Sequence, residues 1–358
     1  MRFAKITLQH FRNLPLVEVT LAGKRTFLCG PNGQGKTNFL EALGYVTALR
    51  SFRGAETKAL MGFGQKEAGM AFTIEHEGFG ESRVMITLKS QGREVMWEQG
   101  KVTRLGDYLG KFPTVVFSSQ DNQFLRGSPS VRRRWLDLTL AAMDGEYLWA
   151  LQRYTRAVTE RNALLKQGAR DASVLGAFEL EAATHGAVLI RKREVGVAEL
   201  SALFLEAHRK LVPEGEAASV TYAPDLAVTD RDELVRVLAA ARARDLMVKA
   251  TERGPHRDDV DFLLNGRSAK LFASEGQQRA VVIALRLAQA AYYRAKGGVT
   301  PVLLCDDVLG ELDPVRRARF WNSLEGDPQV VATGTSLPEG DGAAWQVWSV
   351  AEGRLGLQ

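Results

Sequence analysis

Apolar and polar residues alternate over 2–9 and again over 15–21, the period-two signature of β-strands, with Phe11-Arg12-Asn13-Leu14-Pro15 between them. The apolar run Phe27-Leu28-Cys29 follows, then a glycine-rich stretch, then residues 38–43 with helical character. Residues 68–76, 82–90 and 93–99 read as short antiparallel strands separated by glycine-containing turns. Residues 114–117 form a further apolar strand that runs into the polar loop 118–123. From about 130 to 211 the texture changes, with no proline and strong helical periodicity. Tyr147, Leu151, Tyr154, Val158 and Leu165 recur along one face; after a break at 167–171, Leu175, Phe178, Ala182, Leu189, Leu200 and Leu203 resume it. The pattern predicts two helices of about 35 residues, each roughly 50 Å long, in an antiparallel hairpin with a narrow coiled-coil-like seam. Pro213 ends this arm.

Beyond it, 218–223 reads as a strand, 231–249 as one amphipathic helix and 251–259 as a charged, turn-rich stretch. Strands are expected at 261–264 and 269–273, joined by Asn265-Gly266, a strong hairpin signal. Ser274-Glu275-Gly276-Gln277-Gln278-Arg279 opens a long helix over 280–296, with Ser274 a good N-cap. The run Pro301-Val302-Leu303-Leu304-Cys305 is a buried parallel strand that ends in Asp306-Asp307. Glu311-Leu312-Asp313-Pro314 starts another helix, 329–333 is a core strand, and 345–354 reads as an edge hairpin.

Composition narrows the classes. The 358 residues are 45% hydrophobic and 25% charged, enough for a sizeable core and two structural units. A net charge of +5 admits nucleic acid or anionic lipid as a partner without requiring either. The two cysteines, Cys29 and Cys305, each end an apolar run, which suits buried small residues rather than a disulfide framework or a zinc site. No signal-peptide core and no stretch of membrane-spanning character is evident, so a cytoplasmic protein without a membrane partner is expected.

The chemistry concentrates in Gly30-Pro31-Asn32-Gly33-Gln34-Gly35-Lys36-Thr37, which meets G-x-x-x-x-G-K-[ST] at every fixed position and sits between strand and helix. The glycines Gly30, Gly33 and Gly35, with Asn32, let backbone N–H groups face a triphosphate, and the following helix N-terminus, with Asn38, adds its positive end. Lys36 reaches the β- and γ-phosphates and Thr37 offers its hydroxyl to Mg²⁺. The bland reading, a glycine-rich turn ahead of a surface helix, leaves the flanking pattern unexplained. At the far end of the chain, acids at the C-terminal end of a parallel strand stand where open α/β sheets bind ligands. Asp306 is the metal-associated acid and Asp307 the group that orients or deprotonates water; helix capping is the bland alternative. Arg12 is a candidate phosphate contact because it closely precedes the loop, and Gln120 a candidate metal or water contact. Arg50 and Arg53 read as surface charge, and Arg132-Arg133-Arg134 and Arg191-Lys192-Arg193 as a solvated face or a phosphate-pairing one.

P-loop, helical insertion, S-x-G-Q-Q, apolar run with two acids, Glu-Leu-Asp, then strand with Thr333-Gly334-Thr335: this order resembles the ATPase head of ABC and SMC proteins. Phe11-Arg12-Asn13, the GPNGQGKTN loop, Gly254-Pro255-His256-Arg257-Asp258, Gln277-Gln278-Arg279 and Asp306-Asp307 together resemble the RecF family of bacterial recombination mediators, over essentially the whole chain. The resemblance implies an α/β P-loop NTPase head with an antiparallel β subdomain, built from 1–120 and 212–358, and a helical arm over 121–211. It implies ATP and Mg²⁺ as cofactors and a weak, DNA-stimulated ATPase. Ser274, Gly276 and Gln277 would act on the partner's nucleotide in a head-to-tail homodimer, with Asp313 lining that interface. Gapped or junction DNA, RecR, RecO and the recombinase RecA are the implied partners. Two departures stand out. Aspartate at 307 replaces the superfamily's usual glutamate and should slow turnover, and Thr333 with its neighbours stands where transporters carry a histidine that senses the γ-phosphate. The alternative readings are a transporter-type nucleotide-binding subunit, against which the long paired helices argue, and a metabolic P-loop kinase, against which the great separation of Lys36 from Asp306 argues.

Overall fold

The computed structural model describes residues 1–168, 171–212, 215–337 and 344–358. Pro213 and part of the expected 167–171 break lie outside the described residues. In chain order, β1 (Arg2–Phe11), β2 (Leu14–Thr20) and β3 (Arg25–Cys29) precede helix α1 (Lys36–Ala48). Next come β4 (Glu67–His76), β5 (Gly80–Lys89), β6 (Gly92–Trp97), β7 (Gly100–Lys101) and β8 (Thr114–Ser118). The helices α2 (Pro129–Met143), α3 (Gly145–Lys166) and α4 (Ala172–Leu211) follow, then β9 (Ala218–Ala223), α5 (Arg231–Ala240) and α6 (Arg242–Val248). The chain closes with β10 (Asp259–Leu264), β11 (Arg267–Ser268), α7 (Glu275–Gly297), β12 (Val302–Asp306), α8 (Pro314–Ser323), β13 (Val330–Gly334), β14 (Gln346–Ala351) and β15 (Arg354–Leu357).

By compactness the chain divides into two units. Met1–Asp121, Glu206–Glu214 and Val282–Gln358 form the first, and Asn122–Leu205 with Gly215–Val281 form the second. The ranges expected from sequence placed 215–281 with the head; here they join the helices instead.

The first unit holds an antiparallel sheet, order β2-β1-β4-β5-β6-β7, and a mixed sheet, order β15-β14-β3-β13-β12-β8. In the mixed sheet β14, β3, β13, β12 and β8 run parallel, and β15 pairs antiparallel with β14 as the expected edge hairpin. Strand β12 is buried at every position, as a strand covered on both faces must be. Helix α1 fills the space between the sheets. Its Phe39, Leu40, Leu43, Tyr45 and Val46 join one core with Ile6, Leu8, Phe72 and Ile86 of the antiparallel sheet and Leu28, Leu304 and Val331 of the mixed one. Residues 39–47 of α1 are buried without a break, polar Glu41 and Thr47 included, so the helix anchors the P-loop between two layers.

The second unit packs helices against a three-stranded antiparallel sheet, order β11-β10-β9. Phe262 of β10 meets the rings of Trp135 and Phe204, and Arg132 makes a bidentate pair with Asp259 at 2.7 and 2.8 Å. Charge decides the rest. Fully buried Arg161 binds Asp245 at 2.7 Å, Glu179 at 3.0 Å and the Thr251 hydroxyl at 2.8 Å, while Arg242 makes a second pair with Glu179 at 2.5 Å. Buried Arg193 donates to the Pro255 carbonyl at 2.6 Å, Asp258 at 2.7 Å and Asp137 at 2.8 Å. These contacts explain why 215–281 packs with the helices.

Five expectations need correction. The first arm helix is two, because Asp144 leaves the helical conformation and its side chain accepts the Tyr147 N–H at 3.0 Å, an N-cap for α3. The expected helix over 231–249 likewise splits at Ala241, and Asp245 of α6 reaches Arg161. Of the hairpin at Asn265-Gly266, only Arg267–Ser268 pairs with β10; Ala269–Phe272 is a helical turn, in keeping with the helix propensity of Ala, Lys and Leu. Moreover, the basic runs are not simply solvated, for Arg132 and Arg193 are buried ion-pair partners. A window of α4 does reach a mean hydropathy of 1.2, contrary to the expectation that no stretch approaches a membrane span. Half of that window is buried inside the protein, as befits a core helix.

Candidate nucleotide-binding site

The P-loop leaves β3 at Gly30 and enters α1 at Lys36. No side chain fits at Gly30, since a Cβ there would lie 2.3 Å from the Val350 carbonyl oxygen. Gly35 takes φ +116°, a conformation open to glycine and costly for other residues, and its amide plane starts α1 through the Phe39 N–H at 2.9 Å. The loop is braced from far along the chain. The Glu352 N–H donates to the Gln34 side-chain oxygen at 2.7 Å, and the Gly353 N–H to the Gln34 carbonyl at 3.1 Å. Asn38 donates to Asn13 at 2.8 Å, which ties the loop helix to the β1–β2 turn. Lys36 is buried and folds back over the loop, its Nζ donating to the carbonyls of Gly30 at 2.7 Å and Pro31 at 3.0 Å. Asn32 and Gly33 lie exposed at the rim.

One strand, β13, separates the P-loop strand β3 from the acid strand β12. This order brings Thr37 and Asp306 together: the Thr37 hydroxyl donates to Asp306 Oδ1 at 2.8 Å. Burial raises the Asp306 pKa above its ordinary value and the neighbouring Asp307 charge adds to the rise, against the Thr37 and Thr333 hydrogen bonds and the field of Arg53. Asp307 holds φ +57°, an uncommon conformation for an aspartate and a mark of imposed strain. A hydroxyl beside a carboxylate at the end of a phosphate-binding loop is a pair of hard oxygen donors, which fits Mg²⁺ held partly by protein and partly by phosphate and water.

The remaining candidates spread outward. Arg12 makes a bidentate pair with fully buried Glu41 of α1, 2.9 Å for each contact, and donates to the Ala59 carbonyl at 2.9 Å. It is thereby held against the loop helix, with part of its guanidinium fork left over. Gln120 follows β8 in a turn at the same sheet edge, because Ser118 registers beside Asp306. Asp313 caps α8, accepting the Arg316 N–H at 2.9 Å. Ser274 and Gln277 form a reciprocal cap on α7: the Gln277 N–H donates to Ser274 Oγ at 3.3 Å and the Ser274 N–H to the Gln277 side-chain oxygen at 2.9 Å. Those two and Gly276 belong to the second unit, whereas Arg12, the P-loop, Gln120, Asp306, Asp307 and Asp313 belong to the first.

Residues 2–334 match the family model described as the RecF/RecN/SMC N terminal domain. The DNA replication and repair protein RecF of Thermosynechococcus vestitus is 36% identical over 346 residues, covering 94% of this chain and 91% of the relative. That of Geobacter metallireducens is 36% identical over 344 residues, covering 94% and 93%. The chain belongs to the RecF family. A solved recombination mediator protein described as RecF-ATP, of the RecFOR pathway, superposes with a TM-score of 0.91 at 28% identity, covering 99% of this chain and 97% of that one. An SMC head bound to the winged-helix domain of ScpA gives 0.57 at 15% identity, covering 100% and 98%, which speaks for the fold alone. The RecF-family chain thus has the ABC/SMC-type ATPase head fold anticipated from its motifs.

Two residues of this RecF-family head escaped the sequence reading. Arg53, read as surface charge, donates to the Asn38 side chain at 3.1 Å and lies 3.7 Å from Glu41. Its position soon after α1, ahead of Gly54, was the available signal. Thr333 was noted only as a departure from the transporter histidine. In the structure its hydroxyl donates to Asp306 at 3.1 Å and accepts the Asp307 N–H at 3.0 Å.

Proposed function

We propose that this RecF-family chain is an ATP-dependent DNA-binding protein of recombinational repair. Two copies close head to tail when each holds ATP, the closed dimer binds gapped or single–double-strand junction DNA, and slow hydrolysis reopens it. The observation that carries the reading is Thr37 held 2.8 Å from Asp306 at the end of a complete P-loop. The solved relative described as RecF-ATP supports ATP as the nucleotide. Thr37 and Asp306, with Gln120 at the same edge, would hold Mg²⁺, which when bound neutralises charge on the β- and γ-phosphates.

In this reading Lys36 exchanges its two loop carbonyls for phosphate oxygens, and the N–H groups of residues 30–38 cradle the rest. Arg12 turns its remaining N–H groups to the same phosphates. Asp307 takes the proton of the attacking water. Ser274, Gly276 and Gln277 of the partner copy cover the γ-phosphate, and Asp313 lines the seam. The net charge of +5 suits DNA phosphates and predicts affinity that falls steeply with salt. By analogy with the RecFOR pathway named for the solved relatives, the chain would act in the cytoplasm with RecR, RecO and RecA.

Light scattering with and without ATP and gapped DNA tests this reading. The expected result is a monomer that doubles in mass with ATP and binds gapped DNA more tightly; Lys36→Arg, which loses the phosphate geometry, stays monomeric. A wild-type chain that stays monomeric in ATP and binds DNA equally with and without it overturns the proposal.

A further inference from the structure

We propose that Thr333 is a positioning residue for hydrolysis, its hydroxyl clamping the two strand-end acids into one working arrangement. This inference rests on the ATPase reading above and deepens it. Thr333 ends β13, the strand between the P-loop strand and the acid strand, and its side chain is 1% exposed. A hydroxyl offers one proton and two lone pairs, and both kinds of bond are in use. The proton goes to Asp306 Oδ1 at 3.1 Å, and the oxygen accepts the Asp307 N–H at 3.0 Å.

Each bond has a task. Asp307 stands at φ +57°, where an L-residue persists only if its surroundings hold it. The Thr333 oxygen fixes the peptide plane that enters Asp307, and so the frame from which this conformation aims the carboxylate. Asp306 Oδ1 meanwhile accepts two hydroxyls, Thr37 at 2.8 Å and Thr333 at 3.1 Å. When Thr37 turns its oxygen to a cation, Thr333 keeps hold of the Asp306 carboxylate and its rotation stays fixed. The same strand end is tied to the phosphate loop, since the Gly30 N–H donates to the Gly334 carbonyl at 3.3 Å. Thr333 therefore serves the acids from behind, and contact with phosphate is not needed for its effect.

Thr333→Val keeps the shape and removes both bonds; Thr333→Ser keeps both. Steady-state ATP turnover at saturating Mg²⁺ and the equilibrium affinity for a fluorescent ATP analogue are measured on the full chain. The expected result for Val is a fall in kcat of about 10²-fold with nucleotide affinity within about threefold of wild type, and for Ser recovery of most of the rate. Hydrogen exchange of the Asp307 amide, measured without nucleotide, should be at least tenfold faster in Val than in wild type or Ser. Wild-type kcat in Val, or parallel loss of affinity and rate that Ser does not rescue, overturns the proposal. If the wild-type chain hydrolyses no ATP, the ATPase reading fails on its own account. The exchange experiment then still decides the clamp, and unchanged Asp307 exchange in Val refutes it.

Discussion

Both units bury carboxylates against guanidinium groups, as Glu41 meets Arg12 and Asp121 meets Arg286 in the first, but the acid end of β12 in the first unit is treated in the opposite way. In the second unit buried Glu179, Asp245 and Asp258 each meet a guanidinium within 3.0 Å, as does half-buried Asp259. In the first unit Asp306 is bonded by two hydroxyls, and a second acid follows it directly in a left-handed conformation. Matched charges lock a structure; adjacent like charges leave a site poised for a cation and for the groups that cation brings. The contrast separates scaffold from chemistry without reference to any motif.

The largest expected effect is at the unmatched pair. Asp307→Asn should lower ATP turnover by about 10²–10⁴-fold while nucleotide binding is retained and the closed dimer accumulates, seen by light scattering after ATP addition. A variant that binds ATP yet stays monomeric contradicts this. Next comes the matched network: Arg161→Met leaves buried Asp245 without its guanidinium and Glu179 with Arg242 alone, and should cost about 3–5 kcal/mol of stability, read from urea unfolding. A loss below about 1 kcal/mol, the range of exposed pairs, would erase the comparison.

The third effect has the opposite sign. Because the folded-state pKa of Asp306 is raised, mainly by burial, the folded chain holds that proton more tightly than the unfolded chain does. The group's contribution to stability therefore falls as pH climbs from the ordinary aspartate value of 3.8, and at neutral pH its charge is a burden on the fold. Asp306→Asn should raise Tm by about 2–4 °C while abolishing turnover; an unchanged or lower Tm argues against a site held ready at the expense of stability.

The smallest effect sharpens the scaffold side. Burial lowers the pKa of His256, which bridges the Tyr154 hydroxyl at 2.6 Å and the Thr251 carbonyl at 2.8 Å. Below the ordinary value of 6.5 the unfolded chain takes a proton that the buried ring refuses, so stability should decline as pH falls through 6.5. His256→Gln should flatten that decline in urea midpoints between pH 7.5 and 5.5, and an equally steep slope would assign it elsewhere.

What could be read from the sequence was local. The P-loop, the acid pair and the edge hairpin each lie within a dozen residues, and their glycines, apolar runs and turn residues carry their own physical reasons. The missing parts were non-local. Nothing near Arg161 or Arg193 tells a buried arginine from a solvated one, because their partners Asp245 and Asp258 lie 84 and 65 residues on. Thr333 gains its meaning only when β13 slots between two strands from opposite ends of the chain. The break at Asp144 is the exception: an aspartate followed by glycine ahead of a periodic run is an N-cap signal, and the strong periodicity on either side masked it.

The turn at Glu352-Gly353 grips the phosphate loop at Gln34 across 318 residues of chain. On a ribosome, the loop emerges long before its clasp. A nascent chain halted short of that turn should therefore lack a firm triphosphate cradle, so that synthesis itself delays the first occupancy until nearly every other part of the head has been made.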